Sequence, residues 1–227
     1  MSVLERIRSG LIVSVQAWPG SAIDEPAVIA AMAAAAVANG AVAVRVQGVR
    51  NVSAVRERVD APIIGLIKRE YDGFEPYITP TEREVRSLLA CGADIVAFDA
   101  TARTRPEQAT MEGIVATILD AEKLAMADCA TAADALCAQA VGAQIVASTL
   151  CGYTRETEGH RLPALDLVAE MRELESFVIC EGGVHTPEQA VAALEAGADA
   201  VVVGTAITNI DWLVREFSVP MDNWRTR

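Results

Sequence analysis

The stretch "LEAGADAVVVGT", Leu194 to Thr205, carries a helical apolar pattern into a Val-rich strand through Gly197 and Ala198. Glycine suits the left-handed position where a helix ends, and the strand starts within a few residues. The same grammar recurs in "VANGAVAVRVQ" from Val37, "LLACGADIVAFDA" from Leu88 and "QAVGAQIVAST" from Gln139. Each copy is the αβ turn of a parallel sheet. Between them lie four more strand candidates: "GLIVSVQ" from Gly10, "APIIGLIK" from Ala61, "KLAMAD" from Lys123 and "SFVICEG" from Ser176. None alternates cleanly between apolar and polar, as expected of strands covered on both faces.

Helix starts separate these strands. Capping-box spacing is present at Thr79-Pro80-Thr81-Glu82, at Thr131 with Asp134, and at Thr186-Pro187-Glu188-Gln189. Thr accepts from the backbone there, and Pro fits a first helical turn. The order is βα repeated eight times, with no linker rich in Gly, Ser or Pro. That predicts an α/β fold, a single (β/α)8 TIM barrel spanning residues 1–227. A doubly wound open sheet is the alternative, but no Gly-rich dinucleotide fingerprint follows the first strand. "SVLERIR" is predicted to form a short helix before that strand, covering the barrel bottom. The tail "PMDNWRTR" reads as a poorly packed terminus onto which Trp224 could dock.

Composition narrows the function classes. The 227 residues carry a formal charge of −12, so the basic stripe that a phosphate backbone requires is missing, and nucleic acid is not expected as a partner. The longest apolar run, "AVIAAMAAAAVA" from Ala27, falls short of the roughly 20 residues that cross a bilayer, so no membrane association is expected. The N-terminus lacks a signal-peptide core, which predicts a cytoplasmic protein. The five cysteines have no two-residue spacing and no nearby His, so neither a metal site nor a disulfide framework is expected.

In a (β/α)8 barrel, chemistry gathers at the C-terminal ends of the strands. The residues ending the eight candidates are Gln16, Arg45, Lys68, Asp99, Asp128, Thr149, Glu181 and Gly204. For Asp99 and Asp128 a helix-capping role stands beside a functional one. Arg45 sits inside "VAVRVQ", where an unpartnered guanidinium is costly, so an anionic ligand or an internal carboxylate is expected beside it. Lys68 is one of only two lysines among nineteen basic residues, which argues against a solubilising role. Lys68 and Glu181 both follow apolar runs directly. Burial lowers the proton affinity of an amine and brings it towards a working base at neutral pH.

The loops "CEGGVHTPEQA" and "VVGTAITN" place Gly182, Gly183 and Gly204 at the mouths of strands seven and eight, where barrels commonly hold a phosphate. His160 is expected to be solvated. His185 is expected to brace its loop rather than to catalyse.

The motifs "GLIVSVQAWPG", "PIIGLIKREY", "YITPTEREV", "GADIVAFDAT", "LAMADCAT", "STLCGYT", "EGGVHTPEQA" and "AVVVGTAIT" resemble the N-acetylmannosamine-6-phosphate 2-epimerase family from Gly10 to about Phe217. The resemblance implies an isomerase that interconverts N-acetylmannosamine 6-phosphate and N-acetylglucosamine 6-phosphate by removing and returning the carbon-2 proton, without metal or organic cofactor. It implies that Lys68 is the acid/base lysine and Glu181 its partner carboxylate. Gln16, Arg45, Asp128, Thr149 and Tyr153 would surround the sugar, while Gly182, Gly183, Gly204 and Thr205 would fall where the phosphate is held. Dimeric members make a homodimer the expected state.

Two positions depart from the common pattern of the family. Gly183 stands where many relatives carry Arg or Asn, and Asn209 replaces a frequent Arg near the phosphate; Arg155 or Arg161 is a candidate substitute. Two other functions stay open on the residues alone. A barrel-end lysine also serves Schiff-base lyases and aldolases. A non-catalytic phosphosugar sensor would keep the phosphate loops.

Overall fold

The computed structural model describes residues 1–18 and 20–225; Pro19 of the "AWPG" motif and the last two residues of the tail lie outside them. Eight parallel strands close in sequence order, β1 (Leu11–Val15), β2 (Ala43–Gln47), β3 (Ile63–Leu66), β4 (Ile95–Asp99), β5 (Leu124–Asp128), β6 (Ile145–Ala147), β7 (Phe177–Glu181) and β8 (Ala200–Val203), the last pairing with the first. The outer layer is α2 (Pro26–Ala38), α3 (Val49–Arg56), α4 (Glu82–Ala90), α5 (Met111–Leu119), α6 (Ala132–Ala140), α7 (Leu165–Met171) and α8 (Pro187–Glu195). After β8 come the single turn α9 (Thr205–Thr208) and the long α10 (Ile210–Arg225).

The predicted N-terminal helix is α1 (Val3–Ile7). Ser2 and Glu5 cap it reciprocally, and fully buried Ile7 joins the cluster filling the barrel interior, so the bottom is plugged as expected. Gly197 adopts φ +111°, the left-handed geometry expected at that turn. Capping boxes form at Thr131/Asp134 and Thr186/Gln189. The α4 cap differs from expectation: Thr81, not Thr79, accepts from Arg83 N. Thr79 instead takes φ +44°, and its hydroxyl accepts from Ile67 N at 3.1 Å, holding the segment before α4 against the end of β3.

Two apolar clusters follow from strand parity. Val44, Val46, Val96, Phe98, Val146 and Cys180 point outward under the helices, while Ile64, Leu66, Met126, Ala147 and Ile179 point inward. Most strand positions are therefore apolar on both faces, Ser14 of β1 and Arg45 of β2 being inward exceptions, which is why no period-2 pattern appears in the sequence. The described tail residues are exposed, as expected of a poorly packed terminus, but they are helical and Trp224 does not dock. The helix runs to Arg225, because Asn209 Oδ1 accepts from Trp212 N and starts α10, and Trp224 remains 75% exposed.

Candidate active site

Continuing the inward parity by two residues leads directly to the site. Lys68 follows Leu66, Asp128 follows Met126, Thr149 follows Ala147 and Glu181 follows Ile179; Arg45 follows Ala43 on the same face. The strand-end reading needs adjustment in detail. Arg45 lies in the middle of β2, not at its end, and is 1% exposed because its long side chain runs up inside the barrel. Gln16 and Gly204 lie one residue past β1 and β8, and Thr149 two past β6. Lys68 is two past β3, held by an antiparallel bridge to Ile78. Regular pairing stops short of these residues because the loops splay apart where the mouth opens.

Arg45 is the hub. Its Nη1 and Nη2 donate to Asp128 Oδ1 and Oδ2 at 3.0 and 2.7 Å, and Nη1 lies 2.7 Å from Glu181 Oε2. The expected internal carboxylate is thus two carboxylates. Thr149 Oγ1 stands 2.8 Å from Asp128 Oδ1 and 3.2 Å from Glu181 Oε2. Ser148 clamps the backbone beneath: its hydroxyl donates to Glu181 O at 2.9 Å and accepts from Glu181 N at 3.1 Å.

Two groups are shifted from their ordinary proton affinities in opposite directions. Burial is the largest influence on Glu181 and raises it to about 7; Asp128 adds to the rise, while Arg45, Thr149 and Lys68 oppose it. Lys68 moves the other way. Withdrawal from water and then the Arg45 guanidinium lower it, against Glu181 and Asp128. Lys68 is exposed as a residue, so the lowering is a bias towards the neutral amine, not a neutral lysine. The two groups are displaced towards each other, Glu181 upward and Lys68 downward, the pattern of an acid/base pair.

Gln16 donates from Nε2 to Ser14 Oγ at 2.8 Å, and its buried Oε1 has no hydrogen-bond partner among the described residues. Tyr153 stands at the rim, 59% exposed, and its ring lies 3.7 Å from where a Gly182 side chain would begin. Gly182 and Gly183 adopt φ +108° and +67°, and a Cβ on Gly183 would come within 2.3 Å of Leu162 Cβ. Gly204 is pressed against Ser14 of β1, and Thr205 opens α9. The glycine at 183 therefore has a packing reason, the loop bearing Leu162. Asn209 has one too, as the cap of α10.

Asp99 does not join the cluster. It accepts from the Thr101 backbone and hydroxyl and from Arg103 at 2.7 Å, bracing the loop after β4. His185 stacks on Trp212 with centroids 5.3 Å apart, the bracing role expected of it. His160 pairs with Asp166 at 3.0 Å instead of standing free. Sequence reasoning missed Ser14, Ser148 and Tyr77. Tyr77 packs on the barrel interior, where burial and then Asp128 push its phenol upward. Inward parity would have found Ser14, two residues before Gln16. Tyr77 sits on an irregular loop and gave no such signal.

A family model described as "Putative N-acetylmannosamine-6-phosphate epimerase" matches residues 29–223. A protein from Caldanaerobacter subterraneus subsp. tengcongensis, named "Putative N-acetylmannosamine-6-phosphate 2-epimerase", is 41% identical over 220 residues, covering 96% of this chain and 93% of the relative. A protein of the same name from Cutibacterium acnes is 43% identical over 211 residues, 91% of each chain. Among solved structures, the N-acetylmannosamine-6-phosphate 2-epimerase from Clostridium perfringens superposes with TM-score 0.93 at 37% identity, covering 97% of this chain and 96% of that one. Thiamine phosphate pyrophosphorylase from Pyrococcus furiosus, at TM-score 0.63 and 16% identity over 93% of this chain and 92% of that one, shares the fold alone.

Proposed function

The chain belongs to the N-acetylmannosamine-6-phosphate epimerase family, and from that premise we infer an isomerase that interconverts N-acetylmannosamine 6-phosphate and N-acetylglucosamine 6-phosphate at carbon 2. The observation that carries the site assignment is the placement of Lys68 and Glu181 after opposed strands of the barrel. β3 and β7 stand four strands apart in a closed ring of eight, so the two groups arrive from opposite walls. Inversion needs a proton removed on one face of carbon 2 and returned on the other. Opposed walls supply both.

With the sugar open at carbon 1, the carbon-2 proton lies beside a carbonyl. Lys68 takes that proton as a neutral amine, and the electron pair moves onto the carbonyl oxygen. Arg45 stabilises this oxygen. Glu181 then delivers a proton to the opposite face, and the reverse direction exchanges the roles. Gln16, held by Ser14 just past β1, is placed beside the 2-acetamido group. Asp128, Thr149 and Tyr153 frame the sugar. Gly182, Gly183, Gly204 and Thr205 offer backbone N–H groups to the phosphate. The loop after β6 carries two arginines, Arg155, which pairs with Glu75 at 3.3 Å at the surface, and Arg161, and either is a candidate cation for that phosphate.

Proton NMR with either epimer in heavy water tests the reading directly. Deuterium enters carbon 2 as the epimers interconvert, and Lys68→Ala abolishes the interconversion. Epimerisation persisting in that variant refutes the role of Lys68. The Schiff-base alternative predicts instead that borohydride traps a reduced adduct on Lys68, and a sensor would bind without turnover.

The assembly that fits this chain is a homodimer. Ile210, Val214, Phe217, Met221 and Trp224 recur at spacings of four and three along α10 and are 48 to 75% exposed, a stripe that an isologous pairing with a second copy would bury. Phe217→Glu with Trp224→Glu should yield monomers by light scattering. A cytoplasmic location accords with a phosphorylated substrate and with five free thiols. Among the described residues, no helix is long and apolar enough to cross a membrane.

A further inference from the structure

Thr149 stands between the two carboxylates of the cluster with one hydroxyl hydrogen to give. Arg45 stays cationic and holds both Asp128 oxygens, while its Nη1 also reaches Glu181 Oε2. Thr149 Oγ1 contacts the same two oxygens, Asp128 Oδ1 at 2.8 Å and Glu181 Oε2 at 3.2 Å. A hydroxyl has a single hydrogen, so it serves one carboxylate at a time. Ser148 locks the Glu181 backbone from both sides, which keeps Thr149 and Glu181 in register while that hydrogen turns.

From this geometry we propose that Thr149 is a positioning residue whose hydroxyl tracks the charge of Glu181, donating to Glu181 when it is a carboxylate and turning to Asp128 when it is an acid. The inference rests on the acid/base role proposed for Glu181 and adds the device that tunes it. Asp128 keeps two guanidinium bonds in either state, whereas ionised Glu181 has only one besides Thr149. Removing the hydroxyl therefore costs the ionised form of Glu181 more than it costs Asp128. Bond-for-bond, a third donor to a satisfied carboxylate is worth less than a second donor to a poorly satisfied one. The other charged and titratable groups near Glu181 are Lys68, Tyr153 at the rim and Cys180 behind it. None of these bridges the two carboxylates.

The test is the titration of Glu181, followed by carboxyl carbon NMR of protein labelled at glutamate, with Glu181→Gln assigning the signal. The pH dependence of kcat/KM is measured beside it. In Thr149→Val the midpoint should rise by about half to one pH unit, and the corresponding kinetic limb should move with it. Thr149→Ser, which restores the hydroxyl, should return both to their wild-type positions. Thr149→Ala removes the same group with less bulk and serves if the valine variant does not fold. An unmoved midpoint, a fall, or a shift that serine fails to reverse overturns the proposal. Because the carboxyl titration needs no substrate, a wild-type protein without epimerase activity would sink the proposed function while leaving this inference to be decided separately.

Discussion

Replacing Arg45 with methionine isolates the energetics of the site. Arg45 is 1% exposed, and its guanidinium makes three contacts of 2.7 to 3.0 Å to two carboxylates, of which Asp128 is wholly buried and the Glu181 side chain 13% exposed. Methionine fills similar space but leaves both carboxylates facing an apolar stem. Breaking a buried pair by removing one partner typically costs about 3 to 5 kcal/mol. For a chain of this size that lowers Tm by roughly 6 to 20 °C. The loss should depend on pH. With the cation gone, Glu181 binds its proton more tightly still than its value of about 7, against 4.5 as the ordinary value. A carboxyl raised on folding loses stability as pH climbs from its unfolded to its folded value, so the Arg45→Met deficit should be larger at pH 8 than at pH 6. Urea unfolding at fixed protein concentration, at both pH values, measures it. Adding Asp128→Asn should recover at least half of the loss, because the stranded charge is then removed. A deficit below about 1 kcal/mol at both pH values, or no recovery in the double variant, refutes the claim that these carboxylates depend on Arg45.

Three further outcomes follow. Gly183→Ala must place a side chain at φ +67° and within 2.3 Å of Leu162 Cβ, a loss of about 2 to 4 kcal/mol in urea unfolding that Leu162→Ala should partly restore; an unaffected midpoint contradicts it. In wild type, the folded state should bind more protons at Glu181 than the unfolded chain between pH 4.5 and about 7, so stability from this group falls as pH rises across that window. Glu181→Gln should remove that component of the slope, and parallel pH curves for the two proteins would contradict it. With a thiol reagent at pH 8, exposed Cys137 should label fast, while Cys129 and Cys180, buried and with thiols pushed upward, should label only on unfolding. Rapid labelling of Cys180 would mean that the outer face of β7 opens readily.

Much of this architecture was legible in the residues. Gly-Ala turns before Val-rich runs, repeated at barrel spacing, gave the αβ order because a helix end needing a left-handed residue is a local requirement. Thr131 and Thr186 marked helix starts for the same reason, and Lys68 and Glu181 stood out against apolar runs. Strand boundaries were less accessible. "APIIGLIK" runs on without a break, yet pairing ends at Leu66, and where a ladder stops depends on the neighbouring strands. The capping-box spacing at Thr79 misplaced the α4 cap by two residues, since Thr79 is taken by a contact with Ile67 across the loop.

What the sequence determined by itself was therefore the local chemistry: which segments are helix or strand, and which polar residues sit where an apolar run ends. Closure of the sheet decided the rest. It turned alternate residues inward, brought Arg45 from the middle of β2 against Asp128 and Glu181, and set Thr149 between those two carboxylates. It also gave Gly183 and Asn209 structural reasons, in Leu162 and in the first turn of α10, that no local pattern contains. Charges on strands far apart in the chain interact only once the barrel excludes water between them, so the proton affinity of Glu181 is a property of the tertiary structure and not of the residue.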